Sequence, residues 1–476
     1  MIEGLKPYAE YKEVGLPWLG KIPKHWEVCR GKSVFKSIDV RSKAGEEELL
    51  TVSSKDGVVL RREKNVTMFM AESYEGYKLC WPGDLVINSL WAWAGGLGFS
   101  RHHGIISSAY GVYRPREEFS GHWKYFDYLL RSIVYDWEFH VRSKGIWVSR
   151  LQLTDTSFLD MPIILPPNNE AVAIAQFLTG ESSLINRFIR TKRRLIELLN
   201  EQKQAIIHQA VTCGLDPNVH LKPSGIDWLG EVPEHWEVVP LKRPCVLIRD
   251  GTHLPPPRVD KGIPLLSVRN IINGKFVMRD DDSQISETDY RVLCKSFEVR
   301  QYDILLAIVG GTLGKVAIVQ DMPPFHIQRS LSVLRAKQTV LDYRFLAYFL
   351  QGPGFQRALW QTVAFSAQPG IYLGTIINFP VVLPPLDEQK ILVSTIDEAI
   401  KDVECSIKAT YKEIDLLREY RTRLISDVVT GKLDVRGVEL PAMDEAETIE
   451  DIDTIEDIET ESKELIETEE VANADN

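Results

Sequence analysis

Two stretches of the chain place a hydrophobic residue at every seventh position. The first runs through Leu178, Ile185, Leu199 and Ile206 and is interrupted at Lys192; the second runs through Ile396, Val403, Leu417 and Leu424 and is interrupted at Thr410. Each position of the second series lies 218 residues after its counterpart, so the interruption falls at the same step. Phe188 and Leu195 are the expected companions at intervening positions of the first seam. A sustained seven-residue period is a coiled-coil pattern. It predicts helices from near Glu170 to Thr212 and from near Glu388 to Thr430. At about 1.5 Å per residue, each would be on the order of 60 Å long. An L-P-P triplet precedes both, which suits a helix start. The Lys192/Thr410 step is either a pair that fixes register or a partly solvated position.

Elsewhere the periods are shorter. "LLTVSS" and "PLLSVRN" pattern as strands ending in polar loops, and "DILLAIVGGTLGKVAIV" (Asp303–Val319) as strand, glycine turn, strand. "HWKYFDYLLRSIV" and "DYRFLAYFLQG" pattern as short amphipathic helices with aromatic residues in the core. The bodies that precede the long helices are therefore expected to be mixed α/β rather than bundles. They also repeat. "WLGKIPKHWEV" (Trp18–Val28) returns as "WLGEVPEHWEV" (Trp228–Val238) with eight of eleven positions identical. "FLDMPIILPPNNE" (Phe158–Glu170) returns as "IINFPVVLPPLDE" (Ile376–Glu388), and "GDLVINS" (Gly83–Ser89) faces "YDILLAI" (Tyr302–Ile308). A period of this length is too long for a solenoid; it is a duplicated body-plus-helix.

Composition refines the picture at three points. The 476 residues allow two to four domains at roughly 100–200 residues each. There is no apolar run long enough for a membrane span and no apolar core for a secretory signal near the N-terminus. The net charge of −11 is misleading, because Pro441–Asn476 alone carries −14 and the remaining residues carry +3. That acidic stretch is poor in aromatics and is expected to be disordered, either a solubility tail or a competitor of nucleic acid for basic surface. The six cysteines form no C-x-x-C pair, which argues against a zinc ribbon and for reduced thiols in a cytoplasm.

Catalytic motifs fail on inspection. "VGGTLGKVA" lacks the first glycine of a phosphate loop, where Val309 stands, and has Val316 where a hydroxyl should hold magnesium. A hairpin turn, with Lys315 reaching a phosphate backbone or playing a purely structural part, is the simpler reading. "DMPPF" (Asp321–Phe325) places Met322 where an amino-methyltransferase needs a polar acceptor. "PLDEQK" can be bent into a nuclease pattern, but Asp387 and Glu388 suit a helix N-terminus. His25 and His235 have no second ligand at metal spacing. Their repeated setting beside Trp26 and Trp236 points to a packed structural cluster.

Basic and amide residues recur instead in loops that differ between the halves: "TVSSKDG", "NSLWAWAGG", "SRHHG" and "KGIWVSR", against "SVRNIING", "GGTLGK", "HIQRS" and "FSAQPG". Arg, Asn, Gln and His can read base edges, and Lys or Arg can hold phosphates. Candidate DNA-contacting residues are Lys55, Arg101, His102 and Arg150 in the first half and Arg269, Asn270, Lys315, Gln328 and Arg329 in the second. A matched scaffold with unmatched loops suits an asymmetric, two-part target. The competing readings are a structural adaptor whose two bodies bind proteins and a stand-alone methyltransferase or nuclease.

The order body, L-P-P, long helix, written twice with "WLGxxPxHWEV", "PIILPPNNE", "PVVLPPLDEQ", "AVTCGLD" and "VVTGKLD", resembles the specificity subunit of type I restriction–modification enzymes over residues 1–440. The first copy departs at Asn169-Glu170-Ala171, where the second keeps Asp387-Glu388-Gln389; the expected consequence is confined to a helix cap. The resemblance implies target-recognition domains at 1–167 and 216–385. It implies antiparallel spacer helices at 168–215 and 386–434 that separate them with pseudo-twofold symmetry, and it leaves the acidic tail at 441–476. It further implies a non-catalytic, cytoplasmic subunit that binds double-stranded DNA and recruits two modification subunits, to which two restriction subunits can add. S-adenosylmethionine, ATP and magnesium would belong to those partners, with no cofactor or metal bound by this chain.

Overall fold

The computed structural model describes residues 5–54, 56–63, 73–145, 151–272, 274–363 and 369–438. The acidic tail, Lys55 and Arg150 lie outside the described residues. The chain forms two compact units: the first comprises Met1–Arg193 with Tyr411–Asn476, the second Arg194–Thr410.

In the first unit, strands β1 (Phe35–Ser37), β2 (Leu85–Ile87), β3 (Leu97–Phe99) and β4 (Gly111–Pro115) form an antiparallel sheet in the order β1-β4-β2-β3. Helix α1 (Trp123–Leu130) buries Tyr125, Phe126, Leu129 and Leu130, the 3–4 spacing of one helical face. Those side chains share a core with Phe35, Leu85, Phe99 and Tyr113. Helix α2 (Ile133–Arg142) follows and buries Tyr135 and Phe139.

The second unit repeats this plan. Strands β5 (Cys245–Asp250), β6 (Ile304–Ala307), β7 (Val316–Ile318) and β8 (Leu331–Ala336) run β5-β8-β6-β7, with the short strands Lys275–Phe276 and Ile271–Ile272 added beyond β7. Helix α3 (Tyr343–Gln351) starts at Asp342, whose carboxylate accepts from the amides of Arg344 and Phe345, a standard use of Asp at an N-cap. Helix α4 (Pro353–Gln361) has proline in its first turn.

The two repeated motifs are strand partners, and that is why they repeat together. Glu27–Arg30 pairs antiparallel with Pro162–Leu165, and Glu237–Pro240 with Pro380–Leu383. A long helix leaves each pair directly after its two prolines: Asn168–Cys213, 46 residues, and Leu386–Val429, 44 residues. At 1.5 Å per residue these are roughly 70 and 65 Å long. Gly214 (φ 78°) and Gly431 (φ 75°) stop them in the left-handed conformation, which costs a glycine least. A Cβ at Gly431 would come within 2.3 Å of Pro23 Cδ.

Within the first unit, the N-terminal part of the central helix packs on the C-terminal part of the other. Lys192 pairs with Glu413 at 2.6 Å, and Arg421 donates to Asn186 Oδ1 at 2.6 Å. One number falls as the other rises, so this contact is antiparallel. Within the second unit Lys203 pairs with Glu404. Leu178, Ile185, Ile396, Val403 and Leu424 are buried, while Leu199, Ile206 and Leu417 are half-buried. The expected companions Phe188 and Leu195 are exposed; Ile189 and Ile196 are buried in their place. The helical turn explains the difference. A four-residue step lies about 40° from the seam and a three-residue step about 60° on its other side, so packing selects the former.

Among the described residues, no helix is long and apolar enough to cross a membrane.

Candidate nucleic-acid interface

Each long helix begins with a glutamate that grips the repeated His-Trp dipeptide. Glu170 Oε2 accepts from Trp26 Nε1 at 2.9 Å and from the Tyr8 hydroxyl at 3.0 Å, while its Oε1 bonds His25 Nε2 at 2.8 Å and accepts from Arg436 at 3.2 Å. Glu388 holds His235 at 2.8 Å and Trp236 at 3.1 Å. Both indoles are fully buried, so each ring needs an acceptor for its N–H. Histidine and tryptophan are thus structural, each tied to the first turn of a helix, whose dipole also favours the carboxylate. The glutamates were present in the repeated L-P-P segments, but the offset between the two motifs concealed the pairing. Arg436 also draws the Asp434 carboxyl below its ordinary range by direct hydrogen bonding.

Beside this clamp the halves also differ at the residue that follows the glutamate. Gln389 is fully buried, donates to the carbonyls of Val340 and Pro384, and accepts from the Asp342 amide, pinning the start of α3. Ala171 cannot do this. In the first unit His122, at the N-cap position of α1 but with no side-chain capping bond, is buried and its Nδ1 has no hydrogen-bond partner; burial lowers its pKa. The side chain at this position in the second unit thus holds the start of α3, a role that the Ala171 methyl does not share.

A second repeated clamp marks one end of each sheet. Arg114 donates to Asp84 through Nε at 2.7 Å and Nη2 at 2.8 Å, and Arg335 donates to Asp303 at the same two distances. The carboxylates are buried and each also accepts a backbone N–H, from Trp81 or from Arg300. Bidentate geometry with a third donor is what a buried carboxylate requires.

The opposite end of each sheet carries several of the loops that differ. In the second unit Asp250 pairs with Ser332, Ala307 with Leu331, and Leu306 with Val316. The segments after β5, before β8 and between β6 and β7 therefore emerge together. They present Leu254, Arg329 and Lys315, all exposed. Lys315 sits on a hairpin closed by the Leu313 amide to the Gly310 carbonyl and the Gly314 amide to the Ala307 carbonyl. It joins two antiparallel strands and opens no helix, which removes the phosphate-loop geometry. In the first unit Gly111 pairs with Ile87 and Ile87 with Leu97. The corresponding loop, between β2 and β3, presents Trp91, 57% exposed and stacked on Trp93 with ring centroids 5.8 Å apart.

The expected contact residues thus separate. Lys315 and Arg329 share one sheet end. Arg101 is exposed and His102 half-buried, but they follow β3, at the end that holds Asp84. Arg269 is bound to both Asp281 and Asp282, and Gln328 spends its amide on the Leu265 carbonyl. Asn270 departs from the expectation: it is fully buried and donates to Asp282 and the Val277 carbonyl, so it braces its turn. Sequence reasoning missed Trp91 and Leu254, because it weighed polar side chains and not apolar ones at loop tips. Among the described residues, no group of three or more His, Cys, Asp or Glu could hold a metal ion.

Comparison with known proteins places these features. Residues 233–414 match the family model of the type I restriction modification DNA specificity domain. The chain is 25% identical over 434 residues to the type I restriction enzyme MjaVIII specificity subunit of Methanocaldococcus jannaschii, covering 88% of this chain and 95% of that protein. It is 28% identical over 221 residues to the EcoKI specificity subunit of Escherichia coli K12, covering 43% and 44% of the two. In fold it resembles, with a TM-score of 0.62, a chain from a solved structure concerning complex assembly and conformational transition of the type I R-M system. The identity there is 16%, with 86% of this chain and 98% of that one covered.

Proposed function

We propose that the chain reads a two-part, asymmetric DNA sequence for a type I restriction–modification complex, on the premise that residues 233–414 match the type I DNA specificity domain and that the chain resembles specificity subunits along most of its length. The observation that supports this best is the split between a duplicated scaffold and unlike loops. The His-Trp contacts of Glu170 and Glu388 recur in both units, and the Arg–Asp clamps at Asp84 and Asp303 repeat at the same distances. The loops at the far end of each sheet share neither sequence nor chemistry. Equal scaffolds suit equal docking sites for two identical modification subunits, and unequal loops suit two different half-sites. The two long helices would separate the half-sites and act as a ruler with pseudo-twofold symmetry. Catalysis, with S-adenosylmethionine, ATP and magnesium, would belong to the modification and restriction partners in the cytoplasm, and this chain would supply recognition alone.

Methylome sequencing of cells with and without the chain tests this. The expected result is one split motif, methylated only when the chain is present. Methylation that is unchanged by its loss would refute the reading. A protein-binding adaptor would also leave the purified chain without salt-sensitive affinity for duplex DNA, whereas the recognition reading predicts such affinity at low salt.

A further inference from the structure

Leu254 is 88% exposed, and the loop around it is fixed rather than free. Three prolines, Pro255, Pro256 and Pro257, follow it and restrict the backbone. The Thr252 hydroxyl donates to the Leu254 carbonyl at 3.0 Å, and His253 bonds Asp250 at 2.6 Å. The base of the loop is stitched to the next turn: the Thr252 amide donates to the Ile327 carbonyl and the Arg329 amide to the Thr252 carbonyl. Gly251 lies so close to that turn that a Cβ there would come 2.2 Å from the Gln328 oxygen. Packing back onto the protein surface would remove apolar area from water and is favourable for a leucine side chain. This one is held away from it, at the same sheet end as the exposed cations Arg329 and Lys315.

We propose that Leu254 is an apolar wedge that enters between two stacked base pairs in the half-site read by the second unit, while Arg329 and Lys315 hold the flanking phosphates. This rests on the recognition reading above and adds a deformation of the DNA to it. An apolar side chain on a stiff support, with cations beside it, is the chemistry that unstacks a base step. Stiffness is essential, because the loop must resist the restoring force of stacking. The wedge also supplies selectivity without a base-edge hydrogen bond, since pyrimidine–purine steps open most readily. The first unit offers a different apolar group at its sheet end, the indole of Trp91 stacked on Trp93, so the wedge belongs to one half-site only.

The test uses the full chain and its own target, obtained by selection from random duplexes. 2-Aminopurine is placed at successive positions through the second half-site. Wild-type protein is expected to raise fluorescence several-fold at one step. Leu254→Ala should abolish that signal and lower affinity roughly tenfold, and Leu254→Met should restore both. Affinity lost in Leu254→Ala without any unstacking signal in the wild type would make Leu254 a groove contact and overturn the wedge. Unchanged affinity and an unchanged signal in Leu254→Ala would overturn it as well. If no duplex is selected at all, the recognition reading fails and the wedge with it.

Discussion

The two sheets are alike at one end and unlike at the other. At the alike end, a buried aspartate is held by two guanidinium hydrogen bonds with the same pair of distances in both units. At the unlike end, one unit shows stacked tryptophans and the other a proline-stiffened leucine flanked by Arg329 and Lys315. A carboxylate in a core has few solutions, so duplication preserves it. A loop tip in water has many, so the two copies are free to differ. The contrast separates what holds each body together from what each body can touch.

Removing the glutamates should have the largest effect, and an unequal one. Glu170→Ala leaves the Trp26 indole and Tyr8 hydroxyl without their acceptor and removes one of the two carboxylates that hold Arg436, the other being Asp434; we expect a loss of about 4 kcal/mol in the first unit. Glu388 is more exposed and holds two groups, so Glu388→Ala should cost the second unit about 1–2 kcal/mol. Hydrogen exchange resolved by unit would measure both, and equal losses would show that the extra partners of Glu170 contribute nothing. Next, Arg114→Ala and Arg335→Ala should each cost about 3 kcal/mol, since each strands a buried carboxylate. A large effect in one unit only would show that the two clamps, equal in geometry, do not contribute equally to stability.

Surface changes come next. Lys315→Ala should weaken binding to all sequences and flatten the salt dependence by about one, while Arg101→Ala, at the clamp end, should leave both unchanged. Titration of affinity against salt decides this, and a strong effect of Arg101 would move the interface to the other end of the first sheet. The smallest effect is with pH. His326 is buried and its pKa is lowered from 6.5 by desolvation. The unfolded chain therefore takes up the proton first as pH falls below about 6.5, and stability of the second unit should decline until the folded pKa is passed. His326→Gln should flatten that slope in exchange experiments on β8.

Much of the scaffold is legible in the sequence because period and punctuation are local signals. The prolines before Asn168 and Leu386, the seven-residue seam and the glycines after Cys213 and Val429 mark both long helices to within a few residues. Three kinds of feature escaped. Phe188 and Leu195 are hydrophobic enough for the seam, and only packing distinguishes them from Ile189 and Ile196. Asn270 has a residue type that reads bases, but Asp282 and the Val277 carbonyl had already taken its amide. Which sheet end a loop occupies depends on strand pairing, so Arg101 and Lys315 looked alike until register placed them apart.

The proposed function requires the two bodies to read their half-sites independently. A chimera in which the segment from about Trp18 to Leu165 comes from one of the specificity subunits this chain resembles, expressed with the proposed modification partners, should shift one half of the methylated motif. The other half and the spacer should stay as they were. A motif altered in both halves, or in neither, would contradict the account.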